Sequence, residues 1–267
     1  MRADLNADPA ETLANARTAL ACLDLTSLND DDDEAAIAAL CRRAVGPFGP
    51  VAAVCVWPRL AAAARAQLPP QIAVAAVANF PDGSTDLARV RREAAEVLQA
   101  GAQELDLVLP WRALRDGDEA SCAEVIRAAR RAAPGLRLKL IVESGELADP
   151  RRVRRAAEIG LAEGVDFLKT STGKVPVGAT PEAAQTLLEA IAADPAARDR
   201  VGFKASGGVR TVADATLYIA LVAQVLGESA LDPARFRIGA SSLLNDIEAL
   251  LGAAPGPGAG PASAPGY

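Results

Sequence analysis

The fold of this chain can be predicted outward from the stretch GVDFLKTSTGK, residues 164–174. A mostly apolar segment there leads directly into Lys169 and then into a small polar loop. A second stretch, VGFKASGGVR at 201–210, repeats this pattern around Lys204. In both stretches the apolar residues are typical of a buried strand, and the Gly, Ser and Thr residues behind them are typical of a tight loop. Each lysine is therefore predicted to lie at or near the end of a strand.

Lysine is scarce in this sequence. Lys and Arg together number 28, and only four of them are lysines: Lys139, Lys169, Lys174 and Lys204. Arginine stays protonated in proteins, whereas a lysine amine in a buried site can lose its proton and become a nucleophile. For one lysine taken alone, a solvated surface charge is the ordinary interpretation. Two of the four follow apolar residues directly and open onto polar loops, which favours chemistry.

The composition limits the class of protein. With 267 residues and 51% hydrophobic content, the chain can form one domain of barrel size. The formal net charge of −6 and the isoelectric point near 4.9 argue against a nucleic-acid partner and against an anionic membrane surface. The four cysteines are scattered, which predicts a reduced, cytoplasmic protein. Neither a signal peptide nor a membrane-spanning apolar run is expected.

Histidine is absent from the sequence. Its absence excludes Ser-His-Asp and Cys-His catalytic arrangements and removes the commonest catalytic metal ligand. The acidic run Asp30 to Asp33 is interpreted as a helix cap rather than a metal site. We therefore expect neither a metal nor a cofactor, and any proton transfer must use carboxylates, lysine, tyrosine or water.

Strand-like and helix-like segments alternate along the chain. The predicted strands are residues 21–26, 51–56, 72–78, 104–109 and 136–143, the segments around Lys169 and Lys204, and residues 236–239. The predicted helices are 9–20 in front of the first strand, 34–45, one ending near 67, 85–100, 118–133, 149–163, 181–193, 211–226 and 241–251. Eight such units predict a closed (β/α)8 TIM barrel of the α/β class.

A doubly wound open sheet is the alternative fold, but neither a G-x-G-x-x-G motif nor a P-loop follows any strand. The barrel is expected to form a single domain over residues 1–252. Residues 253–267 are rich in Pro, Gly, Ala and Ser, and they predict a flexible, disordered tail that ends in Tyr267.

Polar residues at the predicted strand ends are candidates for chemistry, because TIM-barrel sites lie at the carboxyl ends of the strands. These residues are Asp24, Cys55, Asn79, Asp106, Glu143, Lys169 and Lys204. A neutral Lys169 needs its pKa to fall by roughly 3 units, and the ammonium of Lys204 about 4 Å away would supply a repulsion of that order. Asp106 would then transfer protons. A plain interior salt bridge between Lys169 and Asp106 is the alternative interpretation.

Glycine-bearing loops follow the last three strands. They contain Gly173 and Lys174, then Gly207 and Gly208, and finally Ser241 and Ser242 at the start of a helix. Backbone N–H groups in such loops and at a helix N-terminus form the usual phosphate site of a barrel. Tight turns and helix caps use similar residues, but the position of all three loops on one rim favours phosphate.

Five segments resemble those of the deoxyribose-phosphate aldolases. They are LDLTSLN at 23–29, ELDLVLP at 104–110, FLKTSTGK at 167–174, GFKASGGVR at 202–210 and GASS at 239–242. The likeness runs in order and spacing from about residue 20 to 252. It implies a class I, Schiff-base aldolase on a TIM barrel that reversibly cleaves 2-deoxy-D-ribose 5-phosphate to acetaldehyde and D-glyceraldehyde 3-phosphate.

The resemblance also implies roles for individual residues. Lys169 matches the Schiff-base lysine, Lys204 the partner that lowers its pKa, and Asp106 the proton-transfer residue. Tyr267 matches a terminal tyrosine that assists proton transfer in some members, although the tail here is richer in Pro and Gly than expected. The phosphate-binding positions are Gly173, Lys174, Gly207, Gly208, Ser241 and Ser242. The substrate-pocket positions are Asp24, Thr26, Asn29, Cys55, Lys139 and Thr172.

The expected partners are small sugar phosphates and aldehydes, together with further copies of the chain in a homodimer or another homo-oligomer. Two other functions stay open at this stage. A different imine-forming barrel enzyme, such as a transaldolase-like or keto-acid aldolase, would share Lys169 but would not need the phosphate loops. A sugar-phosphate-binding protein without catalytic activity would keep the loops but would not need Lys169.

Overall fold

In a computed structural model, which describes residues 8–253, eight parallel strands close into a barrel surrounded by helices. Each strand pairs with its neighbours in chain order, and the last pairs with the first. The strands are β1 (Leu23–Thr26), β2 (Ala53–Val56), β3 (Ala73–Ala78), β4 (Glu104–Val108), β5 (Arg137–Ile141), β6 (Phe167–Lys169), β7 (Gly202–Ser206) and β8 (Phe236–Ala240). The predicted TIM barrel is confirmed, and the open-sheet alternative is wrong.

The helices lie outside the strands. They are α1 (Pro9–Ala21), α2 (Glu34–Ala44), α3 (Pro58–Gln67), α4 (Leu87–Gln99), α5 (Trp111–Arg115), α6 (Glu119–Ala132), α7 (Ser144–Leu147), α8 (Pro150–Ala162), α9 (Pro181–Ala193), α10 (Val212–Leu226) and α11 (Leu243–Ala253). Helix α1 precedes β1, as predicted. The predicted tail lies outside the described residues except for Ala253, and so does Tyr267.

Among the described residues, four short elements were not predicted from the sequence: helices α5 and α7, a 3-10 helix at Glu228–Ala230, and an antiparallel ribbon that pairs Val45–Gly46 with Gly49–Pro50. None of these helices or strands exceeds five residues, which is too short for hydrophobic periodicity to show. The ribbon also explains why β2 begins at Ala53 rather than at Val51. The prediction for β5 was too long at its end, because Glu143 has a left-handed backbone with φ of 55° and cannot continue a strand.

Strand residues alternate between the barrel interior and the helix shell. In β4, Leu105 and Leu107 belong to the buried apolar core, while Glu104 and Asp106 form ion pairs inside the barrel. Most of the apolar core therefore forms a ring between strands and helices, while inward residues such as Val77 and Ile141 place apolar side chains beside the ion pairs. Gly160 allows α8 to approach this ring closely, since a Cβ there would lie 2.6 Å from a methyl group of Leu140.

The acidic run before α2 has two structural uses. Asp33 accepts a hydrogen bond from the Ala36 N–H and caps the helix, which confirms the capping interpretation for this residue. Asp32 instead accepts hydrogen bonds from the Ser27 hydroxyl and the Asn29 N–H, and so closes the loop after β1. Between residues 8 and 253, the helices are all too short or too polar to cross a membrane.

Candidate active site

Within the described residues, a cluster of seven ionisable side chains linked by ion pairs lies inside the barrel, and each residue is at most 3% exposed. They come from inward-facing positions on β1, β4, β5, β6, β7 and β8. The members are Asp24, Glu104, Asp106, Lys139, Lys169, Lys204 and Arg237. Charged groups are seldom fully buried unless they are paired, so the pairing within this cluster decides which charges it holds.

Asp106 is the centre of the cluster. Its Oδ2 lies 2.8 Å from the Nζ of Lys169 and 2.8 Å from the Nζ of Lys204, while its Oδ1 lies 2.9 Å from the Nζ of Lys139. The two nitrogens that share Oδ2 are therefore no farther apart than twice that distance. Lys169 and Lys204 are register partners on β6 and β7, which explains why their side chains converge on one oxygen.

Arg237 and Glu104 close the cluster below Asp106. The guanidinium of Arg237 lies 2.6 Å from Asp24 and 2.8 Å from Glu104. Lys139 contacts Glu104 as well as Asp106. Arg137 reaches Glu104 at 3.0 Å from the open lower end of the barrel, with its side chain 38% exposed. The cluster thus connects the floor of the barrel to the lysines at its upper end.

Counting charges inside the barrel identifies the group that can be neutral. Three carboxylates face four cations, so the fully buried cluster is balanced only when one cation has lost its proton. Among residues 8–253, Lys169 pairs with one carboxylate, whereas Lys139, Lys204 and Arg237 each pair with two or more. An unbalanced charge in a buried site is costly. Lys169 is therefore the cation that gives up its proton most easily.

The pKa shifts agree with this count. Burial lowers the pKa of Lys169, Asp106 opposes that effect, and the nearby Lys204 ammonium lowers the pKa further. Burial acts on Lys204 as well, but Asp106 and Asp24 outweigh it and raise the pKa of Lys204. The Lys169–Asp106 contact that the alternative interpretation expected is present at 2.8 Å, but it is one edge of a larger cluster that holds Lys204 charged.

Glycines inside the barrel make room for these side chains. A Cβ on Gly239 would lie 2.9 Å from the Cε of Lys204, and a Cβ on Gly202 would lie 2.4 Å from the ring of Phe167. Real Cβ contacts are not found at such distances, so larger residues there would displace Lys204 or Phe167. Gly202 in β7 and Gly239 in β8 therefore leave the space that the side chains of Phe167 and Lys204 occupy.

A cavity of about 370 Å³ opens above the cluster, at the carboxyl ends of the strands. Lys169 lies on its wall together with the loops after β1, β6, β7 and β8. This volume lies within the range of small-ligand sites. Lys169, the amine of this cluster that loses its proton most easily, therefore faces the space where a small molecule can enter.

Three loops, those after β6, β7 and β8, line this cavity together with Lys169. Gly173, Gly207 and Gly208 have φ of 76°, 86° and 89°, which favours glycine. A Cβ on Gly207 would lie 2.7 Å from the Ser171 Oγ, so the loops after β6 and β7 pack tightly. Ser241 and Ser242 line the cavity directly before α11, whose N-terminal N–H groups carry partial positive charge. This side of the cavity is suited to an anion.

The comparisons with known proteins agree with this geometry. The model of the family described as DeoC/LacD family aldolase matches residues 18–249. The chain belongs to the DeoC/LacD aldolase family. Over 232 residues it is 48% identical to a deoxyribose-phosphate aldolase of Agrobacterium fabrum, covering 85% of this chain and 88% of the relative. The resemblance found from the five sequence segments is confirmed.

Solved structures show the same fold. A candidate deoxyribose-phosphate aldolase from Toxoplasma gondii superposes with a TM-score of 0.82 at 23% identity, over 92% of this chain and 96% of the other. The deoxyribose phosphate aldolase of Aeropyrum pernix, solved as a tetramer, gives a TM-score of 0.69 at 24% identity over 91% and 98% of the two chains. At these identities the likeness bears on the fold of this DeoC/LacD aldolase.

The structure brings nearly all of the sequence-predicted site residues together. Those in the charged cluster are Asp24, Asp106, Lys139, Lys169 and Lys204, and Cys55 touches Asp106 with its Sγ 3.9 Å from the carboxylate. Those on the cavity wall are Thr26, Asn29, Thr172, Gly173, Lys174, Gly207, Gly208, Ser241 and Ser242. Tyr267 lies outside the described residues.

Two of the predicted polar residues have roles in loop structure. Asn79 is buried and donates hydrogen bonds to the carbonyls of Ser84 and Val108, which fixes the loop after β3 away from the cavity. Lys174 lines the cavity, and its Nζ donates to the carbonyl of Leu28 at 2.7 Å, which ties the loop after β6 to the loop after β1.

Sequence reasoning missed Arg237 and Glu104 as members of the site of this DeoC/LacD aldolase. Arg237 stands between two apolar strand residues, Phe236 and Ile238, and Glu104 comes two residues before Asp106 on the same strand face. A charged residue at an inward position of a strand is the signal that would have found them, once the strand register was known.

Proposed function

We propose that the protein is a class I aldolase that reversibly cleaves 2-deoxy-D-ribose 5-phosphate to acetaldehyde and D-glyceraldehyde 3-phosphate. The observation that carries this proposal is the position of Lys169. Its side chain lines the cavity, the charged cluster around it is balanced when its amine is neutral, and the anion-suited loops line the same cavity. The 48% identity to the Agrobacterium fabrum enzyme supports the same substrate.

In the cleavage direction, the neutral amine of Lys169 attacks the aldehyde carbon C1 of the open-chain sugar, and loss of water gives an iminium ion. Removal of the proton from the C3 hydroxyl then breaks the C2–C3 bond and releases D-glyceraldehyde 3-phosphate. The bonding electrons remain on C2 as an enamine, because the iminium is an electron sink. Protonation at C2 and hydrolysis release acetaldehyde and restore the amine.

The neighbouring groups take the remaining roles in this proposal. Asp106 accepts and returns protons, since its carboxylate lies within hydrogen-bond reach of both Lys169 and Lys204. Burial and, to a smaller extent, the Lys204 ammonium keep the pKa of Lys169 low. Lys139 and Asp24 hold Asp106 and Lys204 in place, with Nζ of Lys139 2.9 Å from Asp106. Cys55 packs against Asp106.

The phosphate is proposed to bind to the anion-suited loops of the cavity. Its oxygens would accept hydrogen bonds from the backbone N–H groups of the loops after β6 and β7 and from the start of α11. These segments contain Gly173, Lys174, Gly207, Gly208, Ser241 and Ser242, and Lys174 would contribute its ammonium, because its backbone N–H donates to the Thr172 hydroxyl. Thr26, Asn29 and Thr172 would contact the carbon chain between the two ends.

Trapping the imine tests the proposal. Incubation with acetaldehyde and borohydride, followed by digestion and mass spectrometry, is expected to place an ethyl group on Lys169. Lys174→Arg serves as the matched control, because it changes a lysine on the same cavity wall and should leave the adduct in place. An adduct on another lysine contradicts the mechanism. Release of aldehyde from deoxyribose 5-phosphate in a coupled assay distinguishes the enzyme from a protein that only binds sugar phosphates.

Tyr267 is proposed, from the family resemblance, to assist protonation of the enamine at C2. Tyr267→Phe should then slow the exchange of deuterium from solvent into the methyl group of acetaldehyde. Exchange at the rate of the unchanged protein would remove Tyr267 from the mechanism.

We also propose that the protein works in the cytoplasm as a homodimer or another homo-oligomer. The four cysteines are buried free thiols, as in proteins of reducing compartments. Val45 and Phe48 on the ribbon are 52% and 42% exposed, which gives an apolar patch that a second copy would cover. Light scattering during gel filtration measures the mass, and a monomer mass at working concentration contradicts the oligomer.

A further inference from the structure

Glu143 is a buried carboxylate at the rim of the barrel that the mechanism above does not use. It follows β5 and is fully buried, with a left-handed φ of 55°. Left-handed backbone is unfavourable for residues other than glycine, and it persists where the surroundings require it. At this position the backbone turn directs the carboxylate sideways, toward the loop after β6, rather than into the charged cluster.

The partner of this carboxylate is Thr172. Oε1 of Glu143 accepts from the Thr172 N–H at 3.2 Å, and Oε2 accepts from the Thr172 hydroxyl at 2.6 Å. Burial raises the pKa of Glu143, and the two hydrogen bonds from Thr172 oppose that shift. Thr172 lies on the cavity wall beside Gly173, and it is three residues beyond Lys169 in the chain.

The hydrogen-bonding capacity of the Thr172 hydroxyl can be counted. A hydroxyl has one proton to donate and two lone pairs that accept. Oε2 of Glu143 accepts from this hydroxyl, so the proton of Thr172 is directed to Glu143. One lone pair accepts from the Lys174 N–H at 3.0 Å. A single lone pair remains for a ligand. The Thr172 hydroxyl can therefore accept a hydrogen bond from the ligand but has no proton left to donate to it.

We propose that Glu143 is a positioning residue that fixes the Thr172 hydroxyl as an acceptor, so that the site selects substrates with a hydroxyl group on the carbon chain between the reacting carbon and the phosphate. This inference rests on the proposed aldolase function. Thr172 lines the same cavity as Lys169 and directly precedes Gly173 in the loop after β6, so a sugar phosphate held at both ends would present its middle carbons near it. A hydroxyl there donates to Thr172, whereas a ketone or a bare methylene cannot.

Glu143→Gln tests the assignment, because glutamine keeps the size and one carbonyl oxygen but replaces the second acceptor with an NH₂ donor. The Thr172 proton is then free to turn toward the cavity. The measurement is kcat/KM for the addition of acetaldehyde to D-glyceraldehyde 3-phosphate and to 3-oxopropyl phosphate, which lacks the hydroxyl. The preference for the hydroxylated acceptor is expected to fall about tenfold, which is the size of one hydrogen bond.

Thr172→Val and Thr172→Ser provide matched variants. Valine removes the hydroxyl and should lower the same preference, and Glu143→Gln added to Thr172→Val should lower it no further. Serine keeps the hydroxyl and should keep the preference. If Glu143→Gln does not fold by circular dichroism, the comparison of valine with serine still decides whether the Thr172 hydroxyl selects the acceptor, and equal preferences in these two variants overturn the inference.

Equal losses for both acceptors in Glu143→Gln or in Thr172→Val would show that this pair only anchors the loop, and would overturn the inference. Failure of the proposed function looks different. In that case the unchanged protein itself forms no borohydride-stable ethyl adduct on Lys169, and neither acceptor is converted.

Discussion

Replacing Lys204 with leucine isolates the electrostatic effect of one ammonium on the other. The Oδ2 of Asp106 lies 2.8 Å from each lysine nitrogen. Two unit charges about 5 Å apart at an effective dielectric of about 20 repel by about 3 kcal/mol. That free energy corresponds to about 2 pKa units. Removing Lys204 therefore raises the pKa of Lys169 by about that amount, on top of the burial effect, which stays.

The expected result has a definite sign. Because the reaction needs the neutral amine, the acid limb of kcat/KM against pH should move about 2 units upward in Lys204→Leu, and the rate below that limb should fall about 100-fold. The assay is cleavage of deoxyribose 5-phosphate across the pH range, with aldehyde release coupled to a dehydrogenase. The rate of borohydride trapping on Lys169 gives a second profile that depends on the same amine.

Arg127→Leu is the control for a general change of charge. Arg127 is on α6, its side chain is 52% exposed, and its partner Glu163 is on the outer surface. Its removal should leave the acid limb where it is. The reasoning is refuted if Lys204→Leu keeps the acid limb of the unchanged protein, or if both variants move it equally.

Two further outcomes follow from the site. Gly207→Ala places a Cβ 2.7 Å from the Ser171 Oγ at a φ of 86°, so KM for deoxyribose 5-phosphate should rise about tenfold or more. The kinetics with unphosphorylated deoxyribose should change little. Equal effects on both substrates would show that this loop does not bind the phosphate. Arg237→Met leaves Asp24 and Glu104 short of a buried partner and should lower the free energy of unfolding by about 3–5 kcal/mol in urea melts. Adding Glu104→Gln should recover part of that loss, and a purely additive effect would argue against the ion-pair count.

The barrel was predictable because its signals are local. Each strand and helix has its own periodicity, and the loop residues mark where the chain turns. The Lys169 and Lys204 stretches stood out because lysine is otherwise rare and both follow apolar residues. Their role as the upper edge of an ion cluster depends on strand register, which is a property of the closed barrel. Short elements such as α7 lie below the length at which periodicity can be read.

Arg237 shows what the sequence could not reveal. Its partners Asp24 and Glu104 lie 213 and 133 residues away along the chain. Only closure of the sheet, which brings β8 beside β1, places them within hydrogen-bond distance. Glu143 is a similar case, since its contact with Thr172 depends on a left-handed turn that glutamate seldom adopts. Both residues were hidden because nothing in their own sequence neighbourhood encodes the partner.

The burial of the charged cluster inside the wall of strands has a consequence for how this protein can change. Most of the apolar core lies on the other side of that wall, between strands and helices. Residues of this apolar zone can be exchanged for other apolar residues of similar volume. The charged residues inside the barrel must together stay electrically balanced. A viable sequence would therefore gain or lose residues of opposite charge together. Homologous sequences should therefore carry their inner substitutions as compensating couples and their outer ones independently.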